Sequence, residues 1–222
     1  MLEMNWDLNE IGDVLVGQLL EPVLSVSGSV RLVQTDSRQV APGDLFVCLA
    51  GERFDAHDFA SEVVQAGACA LVTNRLLDVP AAQFVVKDTR VALGALASAW
   101  RHRFNIKVLA VVGSNGKTTS KEMLGSICKS QFGADKVLVT AGNLNNDIGV
   151  PQTLLKLRDS HQVAVIEMGM NHPGEIDYLA SLVKPDVVLL TNAQREHQEF
   201  MKTVMAVARE NGSAFSHLPP EG

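Results

Sequence analysis

The stretch Val108-Leu109-Ala110-Val111-Val112-Gly113-Ser114-Asn115-Gly116-Lys117-Thr118-Thr119 reads as a strand, a glycine-rich turn and the first turn of a helix. A turn of that kind lets backbone N–H groups approach phosphate oxygens, and the helix dipole adds favourable positive potential. Gly113, Ser114, Asn115, Gly116, Lys117, Thr118 and Thr119 are therefore the candidate nucleotide-binding residues. Lys117 would reach the β- and γ-phosphates of ATP, and Thr118 would offer its hydroxyl to Mg²⁺. The strict pattern GxxxxGK[ST] wants glycine at 111, where this chain has Val111, so the loop is a shortened variant. An ordinary strand–helix turn also favours glycine. The GK[ST] triplet, the preceding strand and the following helix together favour the phosphate site.

Working outward, buried apolar runs alternate with helices from Lys107: KVLAVVG, then 117–131; KVLVT, then 148–157; VAVIEMG, then 173–183; DVVLLT, then 199–217. Four successive β-α units predict an α/β fold with a parallel sheet and helices on both faces. Pro173 fits as the first residue of its helix. Open parallel sheets bind ligands beyond the carboxyl ends of their strands, so the loops there share one edge with the phosphate loop. GNLNND (142–147) brings Asn143, Asn145 and Asn146 to that edge, as substrate-binding candidates or as plain turn formers. Glu167 ends the third strand and could hold Mg²⁺, or equally could cap or form an ion pair. His197 follows the fourth strand; a lone histidine is more often surface or core than ligand. Four strand ends delivering polar residues to one edge make a site.

Before Lys107 the pattern is different. Ile11, Val14, Leu15 and Leu19 recur at helical spacing, with Glu21-Pro22 ending that helix. The runs at 44–50, 68–73 and 83–88 read as strands, with a helix over 57–67, so this part is a small α/β unit. Leu93, Leu96, Ala97, Trp100 and Phe104 form a further helical stripe, and the domain boundary is placed after it, giving domains 1–105 and 106–222. The chain stops at SHLPPEG directly after a helix, and four strands are few for this architecture, so the second domain is expected to be cut short.

Composition agrees with a soluble globular protein: 46% hydrophobic and 20% charged residues. A formal charge of −6 gives no basic footprint for nucleic acid. Acidic residues near the start and the lack of a long apolar run point away from a signal peptide or membrane span and towards the cytoplasm. Cys48, Cys69 and Cys128 stand apart in no metal-binding spacing and read as buried free thiols.

Taken together these residues resemble the Mur ligases over essentially the whole chain. GSNGKTT (113–119) is similar to that family's phosphate loop; GNLNNDIGVP (142–151), EMGMNHPGEI (167–176) and TNAQREH (191–197) are similar to its MurF-type motifs in order and spacing. TDSR (35–38) and PGDLFVCLAGERFDAHDF (42–59) resemble the UDP-binding domain shared by the MurE and MurF types. The resemblance implies an ATP- and Mg²⁺-dependent ligase, acting as a monomer, that joins D-alanyl-D-alanine to UDP-N-acetylmuramoyl-tripeptide through an acyl phosphate, in peptidoglycan synthesis. It also implies that Lys117 and His197 are catalytic, that Thr118, Glu167 and His197 hold metal, and that Asp36, Ser37 and Arg38 hold the UDP end of the substrate. Two departures stand out. The family's third domain and the rest of its central domain are absent, and Asn211 stands where many members carry a carbamylated lysine near a second metal. The chain alone is therefore expected to be inactive. Competing readings are a MurE-type or folylpolyglutamate ligase, a binding fragment without catalysis, or a regulatory nucleotide hydrolase.

Overall fold

A computed structural model describes residues 3–20, 27–51, 54–194 and 203–221. Its packing divides the chain into two compact units, Met1–Leu96 and Ala97–Gly222, so the division falls inside a helix that precedes Asn105.

In the first unit β1 (Trp6–Asp7) leads into α1 (Leu8–Leu15), capped by the Asp7 side chain, which accepts the Asn9 N–H at 2.7 Å. α1 ends at Leu15, sooner than the apolar spacing predicts. Leu19 leaves the helix and forms an antiparallel bridge with Val86, and the Leu20 N–H donates to the Val85 carbonyl, so pairing with the sheet overrides helical periodicity. The expected stop, Glu21-Pro22, lies outside the described residues. β2 (Ser29–Val30) pairs antiparallel with β1.

β3 (Val33–Gln34), β4 (Leu45–Val47), β5 (Ala70–Thr73) and β6 (Ala82–Val85) then form a four-stranded parallel sheet in the order β3-β4-β5-β6. The predicted helix over 57–67 is a 3₁₀ turn, Ala56–Phe59, followed by α2 (Ala60–Gln65). Phe46, Cys48 and Leu71 of the sheet pack with Ala60 and Val63 of α2 into one apolar core. β4 and β5 are buried along their whole length, as strands covered on both faces must be.

α3 (Thr89–Arg101) starts where the Asp88 carboxylate accepts the Arg90 and Val91 N–H groups. Its last turn belongs to the second unit and is held there. Trp100 Nε1 donates to the Leu157 carbonyl at 3.1 Å, and the buried Arg101 guanidinium donates to the carbonyls of Val183 at 3.1 Å and Phe104 at 2.8 Å.

The second unit is a parallel sheet of β7 (Lys107–Val112), β8 (Val137–Val139), β9 (Val163–Glu167) and β10 (Val187–Leu190), in the order β10-β7-β9-β8. α4 (Lys117–Phe132) crosses from β7 to β8. Side chains alternate along a strand, so Leu109, Val111, Val163, Val165, Val137 and Val139 share the face on which Leu124 and Cys128 of α4 pack. The opposite face, with Val108, Ala110, Ala164 and Ile166 fully buried, takes α5 (Gly149–Leu154) and α6 (Glu175–Val183). The doubly covered parallel sheet is the one the β-α alternation predicts. α6 begins at Glu175 rather than Pro173, because Gly174 adopts a left-handed φ of 90° as the residue before the helix. The last helix stops sooner than 217: α7 (Val204–Gly212) gives way to a 3₁₀ turn, Ser213–His217, and residues 195–202 lie outside the described set. Among the described residues no helix is long and apolar enough to cross a membrane.

Candidate functional site

β7 and β9 are neighbours in register from Lys107↔Val163 to Val111↔Glu167, so the turn that leaves β7 and the carboxylate that ends β9 stand side by side. The turn is built around two glycines. Gly113 has φ 125°, and a Cβ there would collide with Thr191 Oγ1 and the Asn192 backbone; Gly116 has φ 79° and immediately precedes α4. Glycine's freedom is thus needed at both positions, once for a close approach and once for the left-handed entry to the helix.

The turn is held from outside itself. Asn192 Oδ1 accepts the Asn115 N–H at 3.2 Å while Asn192 Nδ2 donates to the Asn115 carbonyl at 3.0 Å. Thr191 Oγ1 donates to that same carbonyl at 2.8 Å, and the Gln194 N–H donates to Ser114 Oγ at 2.9 Å. Lys117 folds its ammonium back over the turn, donating to the carbonyls of Gly113 at 2.5 Å and Ser114 at 3.3 Å. Thr118 and Thr119 are exposed on the first turn of α4.

Glu167 is 1% exposed. Its Oε1 accepts from Asn145 Nδ2 at 2.8 Å, whereas Oε2 is buried and takes no hydrogen bond from any described residue. A buried carboxylate oxygen without a donor carries a large desolvation cost, and a cation is the partner that would offset it. Mg²⁺ takes oxygen ligands, so Glu167 Oε2 and the exposed Thr118 hydroxyl fit such an ion by their chemistry. Among the described residues no group of three His, Cys, Asp or Glu gathers into a ready-made metal cage. His197 lies outside the described residues.

The three asparagines of 142–147 separate. Asn145 reaches Glu167; Asn146 Oδ1 accepts the Gly149 N–H at 2.9 Å and thereby caps α5, which is the turn-forming alternative; Asn143 is exposed on the loop. In the first unit, Asp36 caps the 3₁₀ turn Ser37–Gln39 and makes a forked pair with Arg38, at 2.9 Å from Nε and 2.8 Å from Nη2. Hydrogen bonds from Arg38 and Gln39 hold the Asp36 carboxyl well below the usual carboxylate range.

Several residues that build this edge have no distinctive sequence pattern. Lys121 is fully buried, its ammonium donating to Glu122 at 2.6 Å and to the Thr140 carbonyl at 3.0 Å. Its spacing of one helical turn from Lys117 was the available signal. The Thr140 hydroxyl accepts the Glu167 N–H at 3.0 Å. Glu210 of α7 caps α6 from a distance, accepting the Gly174 N–H at 2.9 Å and the Ile176 N–H at 3.0 Å. Asn211 is 1% exposed and has both ends of its amide engaged, Oδ1 with the Gly113 N–H at 2.7 Å and Nδ2 with the Val207 carbonyl at 3.1 Å. The Asn211 amide and both Glu210 carboxylate oxygens thus all bond to protein groups.

The Mur ligase middle domain pattern matches residues 111–222, and the pattern described as the Mur ligase family catalytic domain matches residues 29–125. The UDP-N-acetylmuramoyl-tripeptide–D-alanyl-D-alanine ligase of Escherichia coli K12 is 46% identical over 215 residues, covering 97% of this chain and 46% of that protein. A crystal structure of MurF from Acinetobacter baumannii superposes with a TM-score of 0.91 at 40% identity, covering all of this chain and 48% of its own. The MurF ligase of Thermotoga maritima, solved in complex with ADP, superposes with a TM-score of 0.78 at 33% identity, covering 85% of this chain and 44% of its own. The chain spans about half the length of the relatives it matches. With the middle-domain pattern spanning half of the sequence, from the phosphate turn through Glu167 to the last residue, the chain belongs to the Mur ligase family.

Proposed function

We propose that this chain is the front part of an ATP-dependent ligase that joins D-alanyl-D-alanine to UDP-N-acetylmuramoyl-tripeptide. The observation that carries this is the pairing of the Gly113–Thr119 turn with the donorless oxygen of Glu167 on the adjacent strand end. In this proposal ATP lies over the turn at the N-terminus of α4, where free N–H groups and the helix dipole favour anionic phosphates. Lys117 swings its ammonium from the Gly113 carbonyl to the β- and γ-phosphates. Mg²⁺, held by Glu167 and Thr118, would supply charge neutralisation on the phosphate oxygens. Phosphoryl transfer to a carboxylate needs such positioning and charge compensation rather than a protein nucleophile. The resulting acyl phosphate is then open to attack by the dipeptide amine, which forms the amide and releases phosphate.

Residues 1–105 are assigned to the UDP-sugar end of the substrate, with Asp36, Ser37 and Arg38 as contacts, and 106–222 to the nucleotide. Asn143 and Asn145 serve on the nucleotide-side edge; Asn146 serves as a cap. His197 remains a proposed metal ligand from the family resemblance. The acceptor dipeptide and the closing of the site belong to the half of the relatives' length that this chain does not span.

The test is twofold. The chain should bind ATP in a Mg²⁺-dependent manner, and the intact product of its reading frame should release phosphate only with both the tripeptide and D-alanyl-D-alanine present. Phosphate release without either acceptor would instead favour a regulatory nucleotide hydrolase, and turnover with a free diamino acid would favour a MurE-type ligase.

A further inference from the structure

Two adjacent residues of α7 reach different loops of the nucleotide edge. Glu210 ties the start of α6, while Asn211 reaches the first residue of the phosphate turn, 98 positions earlier in the chain. The hydrogen bond from the Gly113 N–H to Asn211 Oδ1 is 2.7 Å long and lies among buried groups. Gly113 lies close against the chain that follows β10, where an added Cβ would meet Thr191 Oγ1 and the Asn192 backbone. Asn211 is oriented in turn by its Nδ2, which donates to the Val207 carbonyl one turn back in α7.

We infer that Asn211 is a positioning residue of the phosphate loop: its side-chain oxygen fixes the Gly113 peptide, and through it the carbonyl that holds Lys117 and the N–H groups that follow. This rests on the nucleotide-binding reading above. It gives Asn211 a task that an unmodified lysine cannot perform, since an ammonium carries no acceptor for the Gly113 N–H. It also makes α7 a tie between the loop after β7 and the loop after β9, with one residue for each. A buried N–H without its acceptor is costly, so the turn must move when that oxygen is removed.

The experiment compares the parent chain with Asn211→Ala and Asn211→Asp. Alanine removes both hydrogen bonds while favouring the helix, and aspartate keeps an oxygen for Gly113 but loses the donor to Val207. Titration with MgATP should show binding weakened about tenfold in Asn211→Ala and returned to within about threefold of the parent in Asn211→Asp. Amide exchange at Gly113 should be slow in the parent, fast in Asn211→Ala and slow again in Asn211→Asp. Affinity that follows the thermal midpoints of the two variants, rather than the presence of the oxygen, would overturn the positioning role. So would unchanged affinity in Asn211→Ala, or unprotected exchange at Gly113 in the parent. A parent that binds no ATP but keeps Gly113 protected would contradict the nucleotide reading itself.

Discussion

The ammonium of Lys121 is fully buried one turn along α4 from Lys117 and donates to the carbonyl oxygen of Thr140, at 3.0 Å. Thr140 in turn accepts the Glu167 N–H through its hydroxyl, so a single residue at the end of β8 joins the helix of the phosphate turn to the strand of the candidate metal ligand. Lys121 also reaches the Gly142 carbonyl at 3.4 Å, at the start of the loop that carries Asn145.

Replacing Lys121 with methionine keeps most of the side-chain volume but leaves buried carbonyls without their donor. Lys121→Met should lower unfolding stability by about 2 kcal/mol. Urea denaturation measures this, and amide exchange should speed up over residues 140–146 more than elsewhere in the second unit. Equal stability would mean that water replaces the ammonium there.

Glu167→Gln should act on the cation. If Oε2 faces Mg²⁺, millimolar Mg²⁺ together with ATP raises the thermal midpoint of the parent, because a ligand that binds only the folded state stabilises it. In the variant the Mg²⁺-dependent part of that rise should fall to less than half, while the rise with ATP and no metal persists. An unaltered Mg²⁺ response would remove Glu167 from the metal site.

Asp55 gives a pH test in the first unit. Its Oδ1 accepts the His57 N–H at 3.0 Å and the His57 Nδ1 proton at 2.5 Å, and its Oδ2 pairs with Arg75 at 3.0 Å. The Asn74 N–H donates to His57 Nε2, which leaves Nδ1 as the protonated nitrogen. The His57 backbone N–H foremost, with the His57 ring and Arg75, outweighs burial and lowers the Asp55 carboxyl to about 2. A depressed carboxyl stabilises the fold above its ordinary range, near 4, and loses that contribution as pH falls through about 2. Asp55→Asn should therefore cost about 1 kcal/mol at pH 7, with the gap to the parent closing between about pH 4 and pH 2. Denaturant midpoints across that range check it; a gap independent of pH would show that the charge contributes nothing.

Glu210→Ala should destabilise by about 1 kcal/mol, the usual worth of a lost N-terminal cap, since Gly174 offers α6 no side chain of its own. Amide exchange at Gly174 and Ile176 should rise most. Protection unchanged at both would exclude the long-range cap.

The contrast between Lys117 and Lys121 shows what a sequence reveals. Lys117 is legible because a phosphate turn requires its neighbours in order along the chain: an apolar strand, glycines, then a helix. The parallel sheet is legible for the same reason, since strands covered on both faces must be continuously apolar. Lys121, Glu210 and Asn211 gain their meaning from partners 19, 36 and 98 positions away, which no local pattern encodes. Asn146 was ambiguous in the sequence because a cap and a ligand contact use the same amide, and its Oδ1 accepts the Gly149 N–H at the start of α5. Leu19 misled because its spacing continues α1 while its partner is the strand residue Val86. Pro173 misled because Gly174, in the left-handed region, delays the start of α6 to Glu175.

The most direct test is a calorimetric titration of the chain with MgATP and, separately, with UDP-N-acetylmuramoyl-tripeptide, in the parent and in Lys117→Ala. Lys117 sits to neutralise phosphate charge, and the sugar nucleotide is assigned to the other unit. The expected result is that the parent binds both ligands, whereas Lys117→Ala loses MgATP binding by at least about a hundredfold and keeps the UDP substrate within about twofold. Equal loss of both ligands, or MgATP binding indifferent to the substitution, would contradict the division of the two nucleotides between the two units.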